Sequence, residues 1–273
     1  MGRMRLALSL VAAVLVPAGT AHAAPLNLAW DQCLSEGGVS HKYFACDTDA
    51  GYEVLVASFV PQAAMADFSG LTAVISGQTG DFAALPDWWQ LYYSGACRQT
   101  AVSCSFDFLS SPNVSCADPW QGIAVGGIGA YYTAANPSPV DPTPSNALQV
   151  KLLGALPSPV ALAAGAEYYA FKLSISHAKT TGAGACAGCT AGLCLSLTQI
   201  DLYPTSGTPV TLLPDHGTIG DFYVGTSVVA WQCAEGQVSY SGHGPLDFYC
   251  NGIQGCSVPA RNRTWGSIKA LYR

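Results

Sequence analysis

The residues with the plainest chemical potential lie in one short stretch, Cys186-Ala-Gly-Cys189-Thr-Ala-Gly-Leu-Cys194, with His177 upstream. Two thiolates two residues apart can clamp zinc, and an imidazole can complete the ligand set. No second closely spaced Cys pair stands nearby, and no His follows Cys189, so the covalent haem signature is missing. In an oxidising compartment the same cysteines pin a glycine-rich loop through disulfides. That is the reading favoured by the rest of the chain.

Asp47-Thr-Asp49-Ala-Gly51-Tyr-Glu53 alternates oxygen ligands as a calcium loop does. Its Gly falls one place early for an EF-hand, and Ser58 stands where the twelfth-position carboxylate belongs. A capped turn leading into a strand fits better. Catalytic patterns are thin, with neither a G-x-S-x-G elbow nor an H-E-x-x-H pair. Beyond the leader the histidines are His41, His177, His216 and His243. Asp215-His216-Gly217 and Ser241-Gly242-His243-Gly244 offer a base and a nucleophile at a spacing that does not require it. Asp87, Asp107, Asp118 and Asp247 form the pool for a glycosidase pair, which needs only proximity in space. No catalytic residue, metal site or cofactor is assigned.

Aromatic residues carry the best binding signal. Asp87-Trp88-Trp89-Gln90-Leu91-Tyr92-Tyr93 follows Pro86 in a stretch without periodicity, and Asp118-Pro119-Trp120 comes later. Indole rings beside a carboxylate stack on sugar faces while polar groups bond the hydroxyls. The ligand-binding candidates are therefore Asp87, Trp88, Trp89 and Trp120. The competing reading is core packing, since aromatic side chains dominate core burial. Trp231, two residues before Cys233, reads as core.

The elements that must position these residues belong to an exported β protein. Met1-Gly-Arg-Met-Arg5, an apolar run over Leu6 to Val16 and Ala21-His-Ala23 make a secretory signal peptide over 1–23, cleaved after Ala23. Removing Arg3 and Arg5 leaves nine Lys and Arg of eleven against seventeen Asp and Glu, a formal charge of −8. Such a surface disfavours nucleic acid and anionic lipid as partners. No apolar run reaches the length of a membrane span.

All eleven cysteines follow the leader: Cys33, Cys46, Cys97, Cys104, Cys116, Cys186, Cys189, Cys194, Cys233, Cys250 and Cys256. In an exported chain they read as disulfide candidates, and the odd number leaves at least one out. Gly37-Gly38 lies between Cys33 and Cys46, so a hairpin turn there predicts a Cys33–Cys46 bridge.

Two-residue alternation marks the strands. Leu148, Val150 and Leu152 oppose Gln149 and Lys151. Tyr169, Phe171, Leu173 and Ile175 oppose Lys172, Ser174 and Ser176. Residues 52–60 and 71–76 are β-rich. Leu195 and Leu197 disagree in parity with Ile200 and Leu202, which predicts a bulge near Gln199. The Pro-rich stretch 136–146 is a loop across one domain in preference to a linker between two. Trp265, Ile268, Leu271 and Tyr272 share a helical face, with Thr264 as N-cap of a short C-terminal helix.

Asn113-Val-Ser115 and Asn262-Arg-Thr264 match the glycosylation acceptor pattern. Arg261, Arg263, Lys269 and Arg273 gather charge near the end, on a solvated helix or an attachment tail.

Glu53-Val-Leu-Val, Glu167-Tyr-Tyr-Ala-Phe-Lys172, Gly184-Ala-Cys-Ala-Gly-Cys189 and the ending Arg261-Asn-Arg-Thr-Trp-Gly-Ser-Ile-Lys-Ala-Leu-Tyr-Arg273 resemble a group of uncharacterised secreted β-rich proteins of environmental bacteria. The resemblance implies a secreted β-rich protein and carries over no site residue.

The expectation is an all-β, disulfide-reinforced antiparallel β-sandwich, jelly-roll-like, forming a single domain over 24–273 with a short C-terminal helix. It is secreted, extracellular or periplasmic, and non-catalytic. It binds glycan or serves as a structural component of the cell surface, through a sheet face or rim loops. Self-assembly, encouraged by the odd cysteine, is a variant. The alternative is a secreted polysaccharide hydrolase using a pair of acidic residues.

Overall fold

The computed structural model describes residues 24–79, 84–92, 94–111, 115–134, 147–214, 218–219, 222–223, 226–232, 239–240 and 248–249. Five sequence expectations fall outside these residues: the signal peptide, the Pro-rich loop 136–146, the C-terminal helix with its basic residues, and both glycosylation asparagines. So do His216, His243, Asp247, Cys233, Cys250 and Cys256.

Strand dominates. In chain order the elements begin with β1 (Leu26–Trp30), β2 (His41–Lys42), β3 (Tyr52–Phe59), β4 (Met65–Thr79) and β5 (Val102–Ser105). Next come β6 (Val125–Ala134), β7 (Ala147–Leu162), β8 (Tyr168–Ser176), β9 (Leu193–Pro204) and β10 (Val210–Leu212). The short strands β11 (Thr218–Ile219), β12 (Phe222–Tyr223), β13 (Val228–Trp231), β14 (Ser239–Tyr240) and β15 (Phe248–Tyr249) complete the set. One sheet runs β1-β3-β8-β5, entirely antiparallel. The larger runs β2-β13-β9-β4-β7-β6, with β10 on β9, and only β13–β2 is parallel. Both sheets take strands from before and after residues 136–146, so neither half of the chain holds a complete sheet.

Alternation places the core as the sequence predicts along β7, where Leu148, Val150 and Leu152 are buried and Lys151 is exposed. It does so on β9 as well, because Val74 pairs with Gln199 and Ile75 with Leu197. Thr198 is thus left over as a bulge, and Leu195, Leu197, Ile200 and Leu202 all stay inside. Side chains of both sheets join one hydrophobic cluster. Phe59 of β3 meets Phe68 of β4 at 6.1 Å between centroids, and Trp30 of β1 meets Trp231 of β13 at 5.7 Å. No helix among the described residues is long and apolar enough to cross a membrane.

Three disulfides join segments far apart in sequence: Cys33–Cys116, Cys46–Cys189 and Cys97–Cys186, separated by 83, 143 and 89 residues. Bridges closing such long loops restrict the unfolded chain strongly, and they are compatible with an oxidising extracellular or periplasmic location. The expected Cys33–Cys46 bridge does not form. Gly37 does turn the chain, with φ 94°, and Trp30 does pair with Val39. The returning chain then pairs as β2 with β13 and delivers Cys46 to the 186–194 loop. Cys194 is also disulfide-bonded. Cys104 is a free thiol.

One buried cation locks the disulfide-rich end. Arg98, 2% exposed, donates to the carbonyls of Ala178 (3.0 Å), Trp88 (2.8 Å) and Ser176, and its guanidinium lies 3.6 Å over the Trp88 ring. Desolvation pulls its pKa down to about 10, so it stays charged at physiological pH.

Candidate functional site

The outer face of the four-stranded sheet carries a cleft of about 200 Å³. Residues paired across an antiparallel ladder share a face. Tyr52 pairs with Ser176, Val54 with Ser174 and Val56 with Lys172, all outward, whereas Leu55 pairs with Leu173 and Ala57 with Phe171, both inward. Between Ala57 and Ser58 the register slips, because Ser58 pairs with Tyr169 and Ala170 has no partner. This bulge inverts the parity of β8. Strict alternation puts Tyr169 inside with Phe171, but the structure turns it outward beside Lys172.

Tyr169 lies flat on Phe108, with centroids 4.2 Å apart and planes within 13°. Its hydroxyl donates to Glu36 Oε2 at 2.7 Å. Burial, with the Glu36 carboxylate behind it, pushes the phenol pKa far above the ordinary tyrosine value, so the hydroxyl keeps its proton. Glu36 ends a 3₁₀ turn, Leu34–Glu36, that Gly37 caps in the left-handed conformation. Its Oε1 accepts from the backbone of Ser115 and Cys116, each at 3.0 Å. The Cys33–Cys116 bridge staples these two segments together.

The rim is equally determined. Asp31 adopts φ 72° and accepts from Lys42 Nζ at 2.7 and 2.8 Å. Lys42 also reaches Glu53 Oε2 at 2.8 Å. Desolvation lowers the lysine pKa, but hydrogen bonds from both carboxylates outweigh it and leave the value raised. Glu53 Oε1 sits 3.0 Å from His177 Nε2, His177 Nδ1 lies 2.6 Å from the Ala50 carbonyl, and the ring stacks on Phe44. Both nitrogens of His177 therefore face acceptors supplied by the fold.

The groups left for a ligand differ in kind from those already bonded. Tyr52 is 62% exposed at the cleft mouth. Lys172 takes no part in the ion pairs among the described residues, and its ammonium lies 5.2 Å from the Phe108 ring centre. Gln32, Ser111 and Ser174 add an amide and two hydroxyls over a floor of Val54, Val56, Phe108 and Tyr169. The lining includes neither His nor Cys, and both of its carboxylates are already bonded. Such a cleft can stack against a ring and donate to oxygen atoms. It is smaller than the roughly 300–1,000 Å³ that enclose drug-sized ligands, so it suits one unit of a longer molecule.

The predicted binding residues lie elsewhere. Trp88, Trp89 and Trp120 are 0%, 1% and 0% exposed, which corrects the expectation of exposed stacking rings. Trp88 stacks on Trp231 at 5.1 Å, and Trp89 meets Trp231 edge-on at 5.6 Å. Trp120 packs between Phe68 and Phe106 and donates its indole N–H to the Tyr169 carbonyl at 3.0 Å. Burial of these large rings outweighs any surface role, and Trp231 is the hub of the cluster. Asp87 is exposed and accepts from Gln90 Nε2.

Asp107 and Asp118 close local turns onto the backbone of Leu109 and Trp120. Asp49 accepts from the Thr180 and Thr181 backbone, and within the Asp47–Glu53 segment Ala50 N donates to Thr48 Oγ1 at 3.0 Å, a side-chain cap on the turn there. Cys186 and Cys189 join different partners, which makes their loop a disulfide-pinned one. Cys104, the free thiol among the described residues, keeps its proton, since burial raises its pKa to about 12 and suppresses the thiolate.

The cleft residues Glu36, Tyr52, Phe108, Tyr169 and Lys172 were not singled out as a site by sequence reasoning. One signal for them existed. Tyr168-Tyr-Ala-Phe171 places four apolar residues in a row, which breaks alternation and marks the bulge.

No protein-family model, curated protein or solved structure matches this chain.

Proposed function

We propose that this is an exported, non-catalytic extracellular protein that binds glycan in the cleft on its four-stranded sheet. The observation that carries the reading is an exposed Tyr52 ring in the same cleft as the Lys172 ammonium, which joins no ion pair among the described residues, over an apolar floor. An aromatic face covers the C–H side of a sugar ring, while amide, hydroxyl and ammonium groups bond its oxygens. We read the two sheets and their common core as a disulfide-reinforced sandwich, with the cleft on its outer wall.

A non-catalytic role fits the carboxylates. A glycosidase needs one carboxyl to deliver a proton and another to attack or activate water. Glu36 accepts three hydrogen bonds from the protein, and Asp31 is held on both oxygens by Lys42. The test is a glycan array followed by calorimetric titration with the oxidised mature protein. Binding should fall at least tenfold in Tyr52→Ala and in Lys172→Met, both of which leave the core untouched. Glycan binding that both variants retain would remove the cleft from the proposal, and release of reducing ends from a bound glycan would remove the non-catalytic part.

A further inference from the structure

We propose that the outer edge of β6 is a self-association surface, through which two copies of this chain pair antiparallel. The edges of the two sheets differ sharply. The outer edge of β1 is closed, since Leu28 N donates to the Thr226 carbonyl and Thr226 Oγ1 donates to the Leu26 carbonyl. β2, β5 and β10 are edge strands of two, four and three residues. β6 is ten residues long and, among the described residues, pairs on one side only, with β7. β5 comes near it but hydrogen-bonds to β8 alone, so it does not close the edge.

A long open edge presents a row of amide donors and acceptors, which proteins ordinarily shield with charge, proline or a short strand. β6, Val125-Gly-Gly-Ile-Gly-Ala-Tyr-Tyr-Thr-Ala134, contains no charged residue and no proline. Among the described residues, the Tyr92 hydroxyl donates to the Ile128 carbonyl and a bulge falls between Ile128 and Ala130.

Side chains beside this edge are apolar and exposed. Val125 is 68% exposed, Ile123 50% and Leu153 48%, and Leu109, packed against Gly122, is 67% exposed. Val125 and Leu153 share the outer face, because their ladder partners are Ala155 and Gly127. Exposed apolar side chains beside unpaired backbone mark an interaction surface.

The occupant follows from symmetry and charge. An antiparallel edge is its own complement under a two-fold rotation, so a second copy supplies the matching donors, acceptors and apolar strip at once. The mature chain carries −8, yet the only charge on the paired stretch of β6 and β7 is Lys151. Two copies therefore meet here without the repulsion that their other surfaces impose.

Sedimentation equilibrium of the oxidised mature protein tests the pairing. Wild type should reach twice the monomer mass at high concentration and dissociate on dilution. A Cβ at Gly127 meets open space, and Val125 is already exposed, so Gly127→Lys and Val125→Lys should keep the wild-type melting temperature. Each should weaken the dimer at least tenfold. A monomer at every concentration overturns the proposal, as does a dimer that both variants retain. A dimer lost in Cys104→Ser but kept in Gly127→Lys also overturns it, by assigning association to the thiol.

Discussion

Phe108 and Tyr169 come from segments 61 residues apart and stack face to face at 4.2 Å, closing the floor of the cleft beneath Lys172. The contact exists because one unpaired residue, Ala170, turns Tyr169 to the outer face of β8. Once there, its hydroxyl fixes Glu36, and Glu36 accepts from the Ser115 and Cys116 amides at the Cys33–Cys116 bridge. Tyr169→Phe keeps the stack and removes the donor. It should cost ~1.5–3 kcal/mol, the range for a hydrogen bond to a charged group. Urea unfolding against wild type measures this, and an unchanged midpoint would show that Glu36 finds another donor.

Arg98 should be among the most sensitive positions in the chain. Arg98→Met preserves much of the side-chain volume but strands the carbonyls of Trp88, Ser176 and Ala178. Buried acceptors left unmet cost ~1–3 kcal/mol each. The variant should therefore lose several kcal/mol in chemical denaturation, and a loss near zero would mean water replaces the guanidinium.

The strand pattern was legible because burial on one face writes a two-residue period into the sequence. Leu148, Val150 and Leu152 report it on β7, and the slip at Thr198 was readable from the parity of Leu195 and Ile200. Disulfide pairing was not legible, since it depends on which strands meet in space. β2 joins β13 in parallel, and no local rule foretells that. Tryptophan type did not decide between core and surface either. The cleft itself draws on residues 31–36, 52–56, 108–111 and 169–174, and no single stretch looks like a site.

Glycine positions on the β6–β7 ladder should separate sharply on substitution. A Cβ at Gly154 would run into the Phe106 ring, and one at Gly126 would meet both that ring and the Leu153 carbonyl. Overpacking of this kind costs ~1–3 kcal/mol. Gly154→Ala and Gly126→Ala should lower the melting temperature, while Gly127→Ala leaves it within error. Equal effects at all three positions would contradict the ladder as described.

Acid should destabilise the fold through two turn-capping carboxylates. The Thr181 backbone leads the hydrogen bonds that hold Asp49 below the ordinary aspartate pKa of 3.8, and the Thr205 hydroxyl does the same for Asp67. The unfolded chain therefore binds protons that the folded chain refuses, so stability is present above 3.8 and lost as pH falls through the folded values. Melting temperatures recorded downward from about pH 5 should decline, with a shallower slope in Asp67→Asn. A slope identical to wild type would remove Asp67 from the effect.

Cys104 gives the sharpest chemical readout. The thiolate is the reactive form, and burial pushes this thiol up to about 12, so native protein at mildly alkaline pH holds almost none of it. Alkylation mapped to the Cys104 peptide by mass spectrometry should be slow in the native state and fast in denaturant. Reduction adds a second arm. Native disulfides in secreted domains contribute ~2–5 kcal/mol each, so Cys46→Ala/Cys189→Ala should unfold at lower temperature, and its Cys104 should label faster because the opened state is more populated. Rapid native labelling of Cys104 in the wild type would mean that the core against which it packs does not cover it, and this thiol would be available to join two chains.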